Sequence, residues 1–185
     1  FRGKAITVKS ENGPENCIID CNGTEQDPHR GFDFITNEGS NSILDGFTIT
    51  NGYVSGDWPS DVGGGIRCYD GSPTVRNCII TNCSAEEGGG IGCEYSEVPI
   101  IQNCNLGENK AKYGGGIACW YSSPTITNCT VSGNDGKYGG GIYCGKNNPT
   151  ISNCIISNNS NITIYSRIIT WCKRLFYLCL YAEAN

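Results

Sequence analysis

Apolar and polar positions alternate along residues 63–160 in runs of only three or four, and each run stops at glycine, proline or asparagine. A period of two places successive side chains on opposite faces of a strand. Ile66 and Cys68 therefore share one face of "GIRC", as do Ile91 with Cys93, Ile117 with Cys119 and Ile142 with Cys144. A second run, after a proline, turns Val75, Ile101, Ile126 or Ile151 inward. A third turns in Cys78 with Ile80, Cys104 with Leu106, Cys129 with Val131 and Cys154 with Ile156. Helix is a poor fit, because Gly, Pro, Thr and Asn recur in every unit. The pattern predicts three short strands per unit, with corners between them.

The units are copies of one another. GGGIRC begins at 63, GGGIGC at 88, GGGIAC at 114 and GGGIYC at 139, so the intervals are 25, 26 and 25 residues. Each is followed by a proline (Pro73, Pro99, Pro124, Pro149), an Asn-Cys pair, and then Cys83, Asn109, Asn134 or Asn159 five residues after the cysteine. The one irregularity is an extra residue near Glu97 and Val98. Such a period denotes a solenoid. A leucine-rich repeat has a similar period but needs leucines at fixed positions, and these repeats hold only Leu106.

Ordering one 25-residue coil costs about 25–50 kcal/mol of backbone entropy. Each large aliphatic returns only about 1.5–3 kcal/mol on burial. No coil folds alone, so coils must stack. The predicted fold class is all-β: a right-handed parallel β-helix of about six coils, its strands pairing in register about 4.8 Å apart and its hand following the chirality of parallel crossovers. Stacking turns repeated residues into ladders. Asn77, Asn103, Asn128 and Asn153 fall at the corner between the second and third runs, where asparagine tolerates left-handed backbone and can bond the amide above and below.

Residues 1–62 read as earlier, less regular coils. "AITVKSENGPENCIIDCNG" forms the first, "GFDFI" opens the second, and "ILDGFTITNG" aligns with the later repeats if Gly46 takes the corner asparagine slot and Phe47 the cysteine slot. "YVSGDWPSD", residues 53–61, is an insertion on the side of the solenoid, and such loops carry function when anything does. The regular repeats run over 63–160. Beyond them, at 164–166, "IYS" stands where a glycine run is due, and no glycine follows Gly145. Residues 161–185 place Ile168, Cys172, Leu175 and Cys179 at helical spacing, as an amphipathic cap or as an aberrant tail.

Composition narrows the function classes. A net charge of −5 and a pI near 4.8, with no cluster of Lys and Arg in the repeats, argue against a nucleic-acid partner. The apolar stretch near the end is interrupted by Arg167, Lys173 and Arg174 and is too short to span a bilayer. A chain that begins at Phe1 and holds no methionine is expected to be a processed or excised piece, with any signal peptide outside it. Nothing in the sequence sets the oligomeric state.

The four GGGIxC units with their downstream Asn-Cys elements resemble the secreted right-handed parallel β-helix repeat proteins, pectate-lyase-like in fold, and within them bacterial surface proteins with GGxI repeats. The likeness to chlamydial polymorphic outer-membrane proteins, with GGAI and FxxN repeats, is looser. The resemblance covers about residues 1–160 and implies an extracellular or cell-surface setting. It does not choose a function, since the fold hosts enzymes, adhesins and tailspikes.

Eight of the thirteen cysteines fall into two columns, Cys68/Cys93/Cys119/Cys144 and Cys78/Cys104/Cys129/Cys154; Cys17, Cys21, Cys83, Cys172 and Cys179 stand outside them. No pair of cysteines has zinc-ligand spacing, so no metal and no cofactor is expected. The columns read as small buried hydrophobes, with occasional bridges at Cys17, Cys21 or Cys83 as the alternative. The outward residues of the first run, Arg67, Gly92, Ala118 and Tyr143, and of the second, Thr74 with Arg76, Ile100 with Gln102, Thr125 with Thr127 and Thr150 with Ser152, offer no acid pair of the kind a glycosidase needs. Asp61, Glu86, Glu87, Asp70 and Glu94 sit at corners, as solvated charges or a weak cation site, and His29 is expected to be exposed.

Tyr69, Tyr95, Trp120 and Tyr121 recur just past the ladder cysteine, and Tyr113 and Tyr138 just before GGG. Aligned by stacking, they form aromatic strips that either contact a glycan or merely cover the corner. The expected function is thus a non-catalytic stalk or adhesin-type segment, with polysaccharide or a cell-surface glycan as its partner. A polysaccharide lyase or glycoside hydrolase is the alternative. Ice binding by threonine rows is a third, weakened by Arg76, Ile100 and Gln102.

Overall fold

The computed structural model describes residues 1–161 and 164–166. It is a parallel β-helix whose three main sheets each hold six strands. The first sheet begins each coil: Phe32–Phe34, Ile66–Tyr69, Ile91–Glu94, Ile117–Trp120, Ile142–Cys144 and Ile164–Ser166. The second contains Thr74–Arg76, Ile100–Gln102, Thr125–Thr127 and Thr150–Ser152, preceded by Thr7–Lys9 and Ile43–Asp45. The third contains Ile79–Thr81, Asn105–Gly107, Thr130–Ser132 and Ile155–Ser157, preceded by Ile18–Asp20 and Thr48–Thr50. All pairings are parallel and in register, so Cys93 lies between Cys68 and Cys119, and Ile101 between Val75 and Ile126.

The inward columns read from alternation are the core: Ile66, Ile80, Ile91, Ile101, Leu106, Ile117, Ile126 and Ile142 are all fully buried. Phe47 and Gly46 occupy the slots of Cys78 and Asn77, since Thr48 pairs with Ile79 and Gly46 adopts a φ of 82°. The asparagine corners also form as expected. Asn77, Asn103, Asn128 and Asn153 all have φ of 54–55°, and Nδ2 of Asn103, Asn128 and Asn153 each donates to the Oδ1 one coil below at 3.1–3.2 Å. Asn77 ends the series by donating to Asp45.

Two features depart from the three-strand plan. A fourth, three-stranded sheet, Ser84–Glu87, Lys110–Tyr113 and Asp135–Tyr138, runs directly before each glycine corner. Its entry is held by a second, interior amide ladder: Asn109 and Asn134 are buried, and the side-chain oxygens of Asn109, Asn134 and Asn159 accept from the backbone N–H of Cys83, Asn109 and Asn134. The first sheet also continues past residue 160, because Ile164 pairs with Ile142 although its glycine run is missing. The cap or aberrant tail read over 161–185, with Cys172 and Cys179, otherwise lies outside the described residues.

The eleven described cysteines are free thiols. In the third-sheet column each sulfur donates to the carbonyl two residues earlier, from Cys78 to Arg76, Cys104 to Gln102, Cys129 to Thr127 and Cys154 to Ser152, at 3.1–3.3 Å. The column is therefore a row of small side chains that fill the core and satisfy their own weak donors.

Candidate functional site: an aromatic groove floored by two carboxyl groups

The glycine corner decides where the site lies. Gly88, Gly114 and Gly139 have φ of 64–68°, and a Cβ at any of them would sit 2.1–2.3 Å from a carbonyl oxygen three residues on. Only glycine makes this tight bend. The bend folds the residue before GGG back over the outer face of the first sheet, so two columns meet there. One is Glu87, Tyr113 and Tyr138, in register along the short sheet. The other is Tyr69, Glu94 and Trp120, in register along the first. In one coil the meeting residues are Tyr113 and Trp120, rings 6.2 Å apart; in the coil below they are Glu87 and Glu94, which line one groove.

The inserted corner supplies the wall. Val62 pairs with Glu87 and packs where a side chain at residue 92 would go: a Cβ on Gly92 would meet Val62 Cγ1 at 2.4 Å. The guanidinium of Arg30 donates to the carbonyls of Val62 and Ser60, and that of Arg67 to the carbonyl of Pro59 at 3.0 Å, both held by Asp33. So pinned, the corner turns Trp58 back over the sheet, where Nε1 donates to Glu94 Oε2 at 2.7 Å and the ring packs edge-on against Tyr69 and Tyr95. The result is a groove of about 180 Å³ lined by Trp58, Glu87, Glu94, Tyr95, Trp120 and Tyr121.

Its electrostatics follow from burial. Glu94 is 1% exposed and Glu87 half-buried, with Glu87 Oε2 out of water and lacking any donor. Burial first, and the neighbouring Glu94 second, push the Glu87 carboxyl up to about 9, so it keeps its proton at neutral pH. Burial and the charges of Glu94 and Glu86 likewise raise Asp61.

The expected outward face of the first run is thus not a solvent face: Gly92, Ala118 and Tyr143 are buried under the inserted corner and the rings. Nor are the corner acids all solvated. Glu87, Glu94 and Asp61 converge, and they form the acid pair that strand alternation alone hides; Asp70 stays exposed and Glu86 bonds Lys112 at 2.6 Å. His29 is exposed beside Asp27.

The aromatic residues fall into separate columns. Tyr69 and Trp120 belong to the first sheet, whereas Tyr95 and Tyr121 sit at the next corner with φ of 50° and stack on each other at 4.9 Å. Tyr113 stacks on Tyr138 at 5.2 Å. At the groove Tyr95 and Tyr121 are 48% and 41% exposed, and beside them stands Trp58, 51% exposed, which sequence reasoning placed in a loop without giving it a role. Its signal was the insertion itself.

A lateral groove on stacked, repeated coils defines a parallel β-helix protein with a surface site rather than an enclosed one. The chain belongs to the right handed beta helix region family, whose model matches residues 1–131 and 60–169. No curated protein and no solved structure matches it. Among the described residues no helix is long and apolar enough to cross a membrane.

Proposed function

We propose that this chain is a non-catalytic segment of a secreted or cell-surface protein, a stalk or adhesin-type module that holds a glycan in the lateral groove. The observation that carries the reading is the exposed Trp58 ring beside the Glu87–Glu94 pair, with Trp120, Tyr95 and Tyr121 completing the lining. An indole face suits the C–H face of a sugar, and carboxyl groups at its edge suit the hydroxyls. The likeness of the GGxI repeats to bacterial surface β-helix proteins supports the extracellular setting.

A glycoside hydrolase is the second reading, because one of two carboxyl groups in the groove keeps its proton at neutral pH. Hydrolysis needs those groups roughly 5–5.5 Å or 6.5–9.5 Å apart on either side of the scissile bond. Here Glu94 is almost wholly buried and bonded to Trp58, so it is not free to flank a scissile bond, which favours holding over cutting. A glycan array combined with lyase and reducing-end assays on polyuronates and neutral polymers tests both. Binding lost in Trp58→Ala or Trp120→Ala without turnover supports the module; polymer cleavage abolished by Glu87→Gln or by mutating Asp57 or Asp61 overturns it.

A further inference from the structure

The groove carries charge of one sign. Glu87 and Glu94 both line its floor, and the charge of Asp61 bears on Glu87 as that of Glu94 bears on Asp61. None of the three enters an ion pair among the described residues. The nearby cations are engaged elsewhere: Arg30 on loop carbonyls and Asp33, Lys112 on Glu86, Lys146 on the Tyr121 hydroxyl and ring. A buried carboxylate among aromatic rings, with no cation of its own, is complementary to a ligand cation.

The rings of this chain already accept ammonium groups. Lys112, Lys137 and Lys146 place Nζ 5.2, 5.5 and 4.6 Å from the centroids of Tyr113, Tyr138 and Tyr121. Of these rings Tyr121 lines the groove and already holds Lys146, whereas Trp58 beside it is open and bonded to the carboxylate that would face the cation.

We propose that the groove selects a protonated amino sugar, whose ammonium group settles on the Glu87–Glu94 carboxyls while its ring lies against Trp58. This rests on the glycan-binding reading and names the sugar class. The flat, half-exposed indole offers a whole ring face on which a pyranose can lie beside the carboxyls, whereas a lysine side chain would engage it through its ammonium alone.

The test is calorimetric titration of the full chain with a glucosamine hexamer, its fully N-acetylated counterpart, a glucose hexamer and hexalysine. The glucosamine hexamer is expected to bind about tenfold tighter than both neutral hexamers. That ratio should fall below about threefold in Glu94→Gln and stay unchanged in Glu25→Gln, an exposed carboxylate outside the groove lining. Because Glu94→Gln can fail to fold, the wild-type ratio is also measured at pH values below and above the titration of the sugar amine, where loss of the ammonium charge should abolish the preference over the neutral hexamers. Equal binding of the three sugars, or a ratio indifferent to the charge of the amine, overturns the amino-sugar inference and leaves the glycan reading standing. Hexalysine binding as tightly as the glucosamine hexamer overturns the choice of a sugar. No binding of any sugar overturns both readings.

Discussion

Trp58 donates its indole N–H to Glu94 Oε2 at 2.7 Å, tying the inserted corner to the first sheet at the floor of the groove. The contact is local to the surface of the solenoid, since Trp58 is half-exposed while the core columns beneath are fully buried. Trp58→Ala is expected to lower stability by about 2–3 kcal/mol, the lower end for two edge-on ring contacts and one hydrogen bond to a carboxylate, since the side chain is half-exposed. It should nevertheless remove glycan binding. Urea unfolding beside titration separates the two, and a large fall in the midpoint would show that the loop is structural rather than functional.

Glu87 makes stability depend on pH in an unusual direction for a carboxyl. Its folded value, about 9, lies above the ordinary 4.5, so the folded state binds the extra proton. Stabilisation from this group is fully present below about pH 4.5 and lost as pH rises toward 9. Asp61, Glu86 and Glu94 face it with like charge. Glu87→Gln, which keeps a donor in place of the proton, should flatten the decline in urea midpoint between pH 5 and 9 relative to wild type; parallel curves would refute the retained proton.

Much of this molecule was legible because its repeat obeys two periods at once. Alternation by two fixed the faces, and the 25-residue step fixed the neighbours, so Ile91 between Ile66 and Ile117 followed from spelling alone. The groove did not follow. Glu87 and Glu94 flank "GGGIGC" seven residues apart, and only the back-folded glycine corner sets them face to face. The equivalent spacing of Tyr113 and Trp120 one coil on was the available signal. The interior ladder of Asn109, Asn134 and Asn159 was visible as a recurrence, but its burial depends on a fourth sheet that no apolar run announces, its strands reading "SAEE", "KAKY" and "DGKY".

Asp45 anchors the outer asparagine ladder, accepting from Asn77 Nδ2 at 2.7 Å and pairing with Arg76 at 3.0 Å while only 3% exposed. Burial alone would raise its carboxyl, but the bonds from Asn77 and Arg76 outweigh that and hold it below the ordinary 3.8. Its stabilisation is present above pH 3.8 and lost as pH falls through the lowered value. Asp45→Ala should cost about 1–3 kcal/mol by leaving Arg76 and Asn77 without their acceptor. Asn77→Ala beside it, and the double variant, give the coupling; additive losses would mean that the ladder does not end there.

Thiol accessibility separates the cysteines into classes. Cys17 and Cys21 are half-buried, whereas Cys83 and both ladder columns are buried, and burial pushes the Cys83 thiol up to about 12. Among the described cysteines, mass-mapped alkylation of the folded chain at pH 8 should label Cys17 and Cys21 first and the ladder cysteines only on unfolding. Early labelling of Cys104 or Cys119 would contradict the packed columns.

Gly92 is the residue whose absent side chain lets the groove exist. It lies in the outward column between Arg67 and Ala118, and the space its Cβ would take is held by Val62 Cγ1 at 2.4 Å and Gly63 N at 2.8 Å. Gly92→Val leaves the inward Ile91 and Cys93 in place but pushes Val62 off the sheet, and with it the corner that carries Trp58. The strand itself gains, since valine suits a β position better than glycine. The expected outcome is a folded protein, with an unchanged circular dichroism spectrum, that becomes sensitive to proteolysis between residues 53 and 62 and no longer binds a glycan. If the variant binds as wild type does, the groove does not depend on the docked corner, and Trp58 reaches Glu94 by some other route.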